Sequence, residues 1–141
     1  MLIDITPVNT AIQTKFDSYS SAVKQQLECL RALILAIAAE HALGDVEETL
    51  KWGEASYSVK GGSPIRIDWK AKEPSVLKVF FHCQTRLVAT FREIYRDEFV
   101  YEGNRAVVIP LHTDFQQVPL RHCLSLALRY QSLKHLPLLG A

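Results

Sequence analysis

From Ser21 to His41 the apolar residues Val23, Leu27, Leu30, Ile34, Ile37 and the small Ala38 fall three and four positions apart. That spacing predicts a long helix with one core-facing stripe. Upstream, Asn9 or Thr10 suits the cap of a short helix reaching about Tyr19, with Ile12 and Phe16 one turn apart. Residues 1–8 read as a flexible N-terminal segment. Gly44 ends the long helix, and Asp45 with Glu48 three residues on forms a capping-box pattern. The expectation is a third, short helix that stops at Trp52-Gly53, with Gly53 in a left-handed cap and Trp52 an anchor in the core.

Beyond Gly53 the period shortens from 3.6 to 2. Ile65, Ile67 and Trp69 alternate with Arg66, Asp68 and Lys70, and Leu77, Val79, Phe81 and Cys83 alternate with Lys78, Phe80 and His82. These are the marks of half-buried strands. A further strand over Ser56 to Lys60, turning tightly at Gly61-Gly62, completes a three-stranded meander. Leu87, Val88, Phe91, Ile94 and Tyr95 then return to helical spacing within Gln84–Arg96. Two more strands flank Gly103-Asn104, a pair suited to a two-residue hairpin loop. A last helix opens at Pro119, spans about Val118 to His135 and stops before Pro137. The predicted fold is a single α+β domain over residues 1–141, in the order α-α-α-β-β-β-α-β-β-α, with helices packed on one face of a small antiparallel sheet.

Composition narrows the function classes. A chain of 141 residues with 48% hydrophobic and 22% charged residues has the content of one folded domain. A net charge of +1 supplies no general basic field, so nucleic acid is not an expected partner. Met1–Pro7 lacks a basic, then apolar secretory pattern, and the longest apolar run, Leu33 to Ala39, is far below the roughly 20 residues that cross a bilayer. Cys29, Cys83 and Cys123 are odd in number, and each sits in an apolar pattern, which reads as buried free thiol. The expected location is the cytoplasm, away from membranes.

Pairing the two central strands symmetrically about Glu73 sets Asp68 against Lys78, Arg66 against Phe80 and Pro64 against His82. A tight Gly61-Gly62 turn would add Tyr57 beside Arg66 on the open face. An arginine among aromatic rings suits an anionic or planar ligand, because the guanidinium offers forked donors and the rings offer stacking surface. The plainer reading, which carries more weight, is an Asp68–Lys78 ion pair and an arginine stem lying over Phe80. Glu102 and Arg105 read as a local salt bridge across the second hairpin, with Arg105 joining a site only if that turn meets the Trp52 corner. The five histidines lack metal-ligand spacing. Neither a metal nor a cofactor is expected. Cys83 and His82, as strand neighbours, point to opposite faces and do not make a nucleophile and base.

The runs Leu30-Arg31-Ala32-Leu33-Ile34 and Glu47-Glu48-Thr49-Leu50-Lys51-Trp52-Gly53, with Tyr57, resemble the YdhG-like family, domain of unknown function 1801. Gly62 to Lys70 and Tyr101 to Ala106 are similar to one bacterial branch of it. The resemblance covers about residues 20 to 136 and implies helices on a small antiparallel sheet. It transfers no catalytic residue, and it brings frataxin-like iron handling as one alternative, for which Asp45, Glu47 and Glu48 are the nearest carboxylates. The leading functional expectation is an uncharacterised binding module for a small anionic or aromatic ligand or a protein partner, a second copy included. Trp52, Tyr57, Arg66, Phe80, His82 and Arg105 are its candidate contacts. A small enzyme is the remaining alternative.

Overall fold

The computed structural model describes residues 9–141; the readings made for residues 1–8 lie outside them. Asn9 caps α1 (Thr10–Asp17), its Oδ1 accepting from the backbone N–H of Ala11 and Ile12. Ser20 caps α2 (Ser21–Glu40) through the Val23 N–H. Among the described residues six strands follow the order β1-β2-β3-β4-β6-β5, every neighbouring pair antiparallel. They are β1 (Glu47–Lys51), β2 (Glu54–Ser58), β3 (Ile65–Asp68), β4 (Val76–Phe81), β5 (Val100–Glu102) and β6 (Ala106–Pro110). Between β4 and β5 lies α3 (Leu87–Tyr95), and α4 (Leu120–Leu128) and the short α5 (Tyr130–Leu133) follow β6.

The sheet presents Ala55, Tyr57, Ile65, Ile67, Leu77 and Val79 to the helices, where Ile12, Phe16, Leu27, Ile34, Phe91 and Leu124 meet them in one core. The α+β architecture predicted from periodicity is therefore present. Its order is not the predicted one, because Glu47–Lys51 is a strand and not a third helix. The two forces are separable. The i, i+4 pair Val46 and Leu50 and the Asp45–Glu48 spacing favour a helix locally. Pairing with β2, from Glu47 opposite Ser58 to Lys51 opposite Glu54, overrides that weak propensity. Trp52 and Gly53 become the two central residues of the hairpin, at φ 56° and 76°. Two positive φ values in a two-residue loop are what a primed hairpin turn needs, so the left-handed Gly53 is right and the helix cap is wrong.

Three further corrections come from loop lengths and breaks. The β2–β3 connection is wider than a Gly61-Gly62 hairpin, and Ser56, not Tyr57, lies opposite Arg66. A slip of one residue exchanges faces, so Tyr57 enters the core with 0% exposure. The second hairpin has three loop residues, since Glu102 pairs with Ala106. The last helix breaks at Arg129, φ −108°, after α4 begins at Leu120 with Pro119 as its cap residue and not inside it. Of the cysteines only Cys123 is buried; Cys29 lies on the outer side of α2 and Cys83 beyond the end of β4.

The β1 edge is guarded at one point. The Asn9 side-chain amide donates to the Glu48 carbonyl at 3.3 Å and its backbone N–H to Glu48 Oε1 at 3.1 Å. An outward strand carbonyl is thereby satisfied by the start of α1, which blunts edge-to-edge pairing there. On the core side, Arg31 from α2 grips the same carboxylate with Nε at 2.6 Å and Nη2 at 3.2 Å.

Candidate functional site

Symmetric pairing about Glu73 is observed, with Asp68 opposite Lys78 and Arg66 opposite Phe80. The Arg66 guanidinium carbon Cζ stands 5.6 Å from the Phe80 ring centroid, a cation–π contact of the charged head. Phe80 is only 6% exposed, so little ring face remains for a ligand. Arg66 is also compensated: its Nε is 3.1 Å from Glu54 Oε1, an ion pair without the alignment of a hydrogen bond. Glu54 was not among the candidate residues. It is the nearest acid across from β3, and the β1–β2 hairpin places it there.

Asp68 does not pair with Lys78. Its carboxylate is held by Lys70 at 2.9 Å, by Lys15 at 3.8 Å and by the Tyr19 hydroxyl at 2.6 Å. Burial, then the hydrogen bond to Asp68, pushes the Tyr19 phenol well above its ordinary range. Lys78 instead bridges Glu73 and Glu102, both at 2.6 Å, and these two carboxylates hold its ammonium above the usual lysine value. Glu102 is thus taken from the expected Arg105 pair. Each acid chooses the lysine whose flexible stem can reach it. The face is a lattice of compensated charges.

The six candidate contacts do not form one site. Tyr57 is sealed on the opposite face, where burial, then the Glu48 charge, keeps its phenol protonated far above the ordinary range. Trp52 tops the hairpin at one edge of the sheet, whereas Arg105 is exposed at the other edge and at the opposite end of the strands. The Trp52 corner and the Arg105 turn do not meet. Trp52 is not a core anchor either, at 86% exposure.

His82 is exposed just past β4, at the end of the sheet that carries the β2–β3 loop. It lines a groove of about 270 Å³ with Ser63, Gln84, Thr85, Tyr130 and Gln131, residues that no local motif united. A second groove, about 390 Å³, is the outer face of α2 around Gln25, Glu28 and Cys29. Burial, then the Glu28 charge, raises the Cys29 thiol and leaves it a poor thiolate.

Two histidines hydrogen-bond a hydroxyl away from the sheet face. Ser125 Oγ lies 3.3 Å from His41 Nε2 and accepts from Arg129 Nε at 3.0 Å, tying α4 to the end of α2. Tyr95 Oη hydrogen-bonds His122 Nδ1, beside an imidazole that burial, then Arg129, shifts below its ordinary value. Neither pair belongs to either of the two grooves. Among the described residues no group of three or more His, Cys, Asp or Glu is placed to hold a metal ion, and no helix is long and apolar enough to cross a membrane. Glu47 and Glu48 face opposite sides of β1, because strand neighbours alternate.

No family model matches the chain, nor does any curated protein or solved structure.

Proposed function

We propose that the chain is a non-catalytic cytoplasmic binding module of the YdhG-like type that docks a protein partner through the tip of the β1–β2 hairpin. The observation that carries this reading is Trp52, 86% exposed and at φ 56°. A left-handed conformation costs a bulky residue about 1 kcal/mol, and an exposed indole adds nothing to the core. Asparagine or glycine would make the same turn without either disadvantage. Leu50, 39% exposed on the adjoining strand, extends the apolar surface beside it. Tryptophan is the residue type most often found at the centre of protein contacts, where it fills an apolar slot and is ringed by polar groups. Lys51 and Lys70 supply polar groups at this end of the sheet. Glu54 compensates Arg66, the cation on which the small-ligand reading of the open face rests.

The test is photo-crosslinking in cells that express the protein, with benzoylphenylalanine in place of Trp52 and, as control, in place of the exposed Glu93 on α3. The expected result is a discrete adduct from position 52 that position 93 does not give. Mass spectrometry of the adduct separates a second copy from another protein. The same pattern from both positions, or no adduct from position 52, overturns the reading.

A further inference from the structure

The groove beside His82 is built differently from the sheet face. Its floor is the 61–63 loop, stitched to the α4–α5 junction by Ser63 N–H donating to Ala127 O at 2.8 Å and Gln131 N–H donating to Gly61 O at 2.9 Å. Gly62 passes so near α4 that a Cβ there would stand 2.6 Å from Leu128 O. The opposite wall is the turn after β4, closed by Thr85 Oγ1 donating to His82 O at 2.6 Å. Both walls are therefore fixed by short internal bonds.

Within this frame three side-chain donors have no acceptor among the described residues. His82 Nδ1 accepts from the Gln84 N–H at 3.1 Å, which leaves the ring proton of neutral imidazole on Nε2. Tyr130 Oη accepts from the Arg86 N–H at 3.4 Å and keeps its own proton to give. Ser63 is 4% exposed, and its Oγ has no hydrogen-bond partner among the described residues, the one such buried atom along this groove. A buried hydroxyl without a partner is costly and calls for one. No carboxylate lines the groove, while Arg86 and Arg105 stand at the same end of the sheet.

We infer that this groove binds a small oxyanion, a carboxylate or phosphate group, held by Ser63 Oγ, His82 Nε2 and Tyr130 Oη. Its volume, about 270 Å³, is enough for a compact anion. The site is independent of the Trp52 tip, which lies at the other end of the strands.

Titration of the whole chain with inorganic phosphate and, separately, malonate tests this, followed by amide chemical shifts against chloride at matched ionic strength. The expected result is saturable movement of the Ser63, Gln84, Thr85 and Gln131 amides by at least one of the two anions. Which anion saturates first distinguishes phosphate from carboxylate recognition. Tyr130→Phe and Ser63→Ala should each weaken that binding about tenfold, the loss of one hydrogen bond to a charged group. Linear, non-saturating shifts with both anions overturn the proposal. So does Ser63→Ala that changes stability while leaving the binding curve of the wild type unaltered.

Discussion

Glu48→Ala is expected to lower the stability of the fold by about 3 kcal/mol. The change withdraws the carboxylate that faces the Arg31 guanidinium, in a pair whose side chains are only 8% and 10% exposed. It also removes the acceptor of the Asn9 N–H, loosening α1 from the β1 edge. Two charges held out of water are costly to separate, whereas replacing both is not. Arg31→Met with Glu48→Leu should therefore lose less than the sum of the two single changes. Urea denaturation of wild type, Arg31→Met, Glu48→Leu and the double variant measures this coupling directly, with Glu48→Ala read beside them. A single-mutant loss below about 0.5 kcal/mol would mean that the pair behaves as an exposed one.

The pH dependence follows with a definite sign. Burial raises the Glu48 carboxyl, but hydrogen bonds from Arg31 and from the Asn9 N–H outweigh it and leave the folded value below the ordinary 4.5. A depressed folded value means that the unfolded chain takes up the proton first. The contribution is complete above 4.5 and disappears as the pH falls through the folded value. Glu48→Gln should flatten this part of the acid limb.

Gly62→Ala is the second large effect, expected at about 2 kcal/mol. The added methyl would meet the Leu128 carbonyl oxygen at 2.6 Å and Val59 Cγ2 at 3.0 Å. A backbone oxygen cannot rotate away, so the 61–63 loop must lift and strain the Ser63–Ala127 and Gln131–Gly61 bonds. Gly61→Ala separates space from conformation. Gly61 has nothing within 4 Å of a Cβ but sits at φ 86°, so it should cost about 1 kcal/mol through strain alone. Denaturation midpoints that rank Gly61→Ala as the more harmful would overturn the close-approach argument.

Much of the architecture was legible because local and global preferences agree over most of the chain. The α2 stripe and the Asn9 cap mark the two N-terminal helices. The symmetric turn about Glu73 sets the β3–β4 register and with it the Arg66–Phe80 contact. The misreadings fall where a distant partner or a loop decides. β1 is held by β2 and by Arg31 from another element, neither visible in its own five residues. One residue of register in the β2–β3 loop moved Tyr57 from the open face to the core. Long side chains also hide their partners: Lys78 reaches Glu73 and Glu102 past the Asp68 directly opposite. Of the site, His82 was legible as a residue on the polar side of its strand, although β4 ends one residue before it. Its neighbours Ser63, Thr85 and Tyr130 come from three segments that only the folded loop and the α4–α5 break bring together.

A Trp52 kept at the hairpin tip for a contact outside the chain costs the fold stability, and does not add to it. The denaturation midpoint of Trp52→Asn tests that most directly. Asparagine tolerates the left-handed conformation and makes with Gly53 the dipeptide best suited to this turn. The expected midpoint is higher than that of wild type, corresponding to about 0.5 to 1 kcal/mol of added stability. A midpoint below wild type would show that the indole anchors the hairpin after all, and the docking role would lose its physical basis.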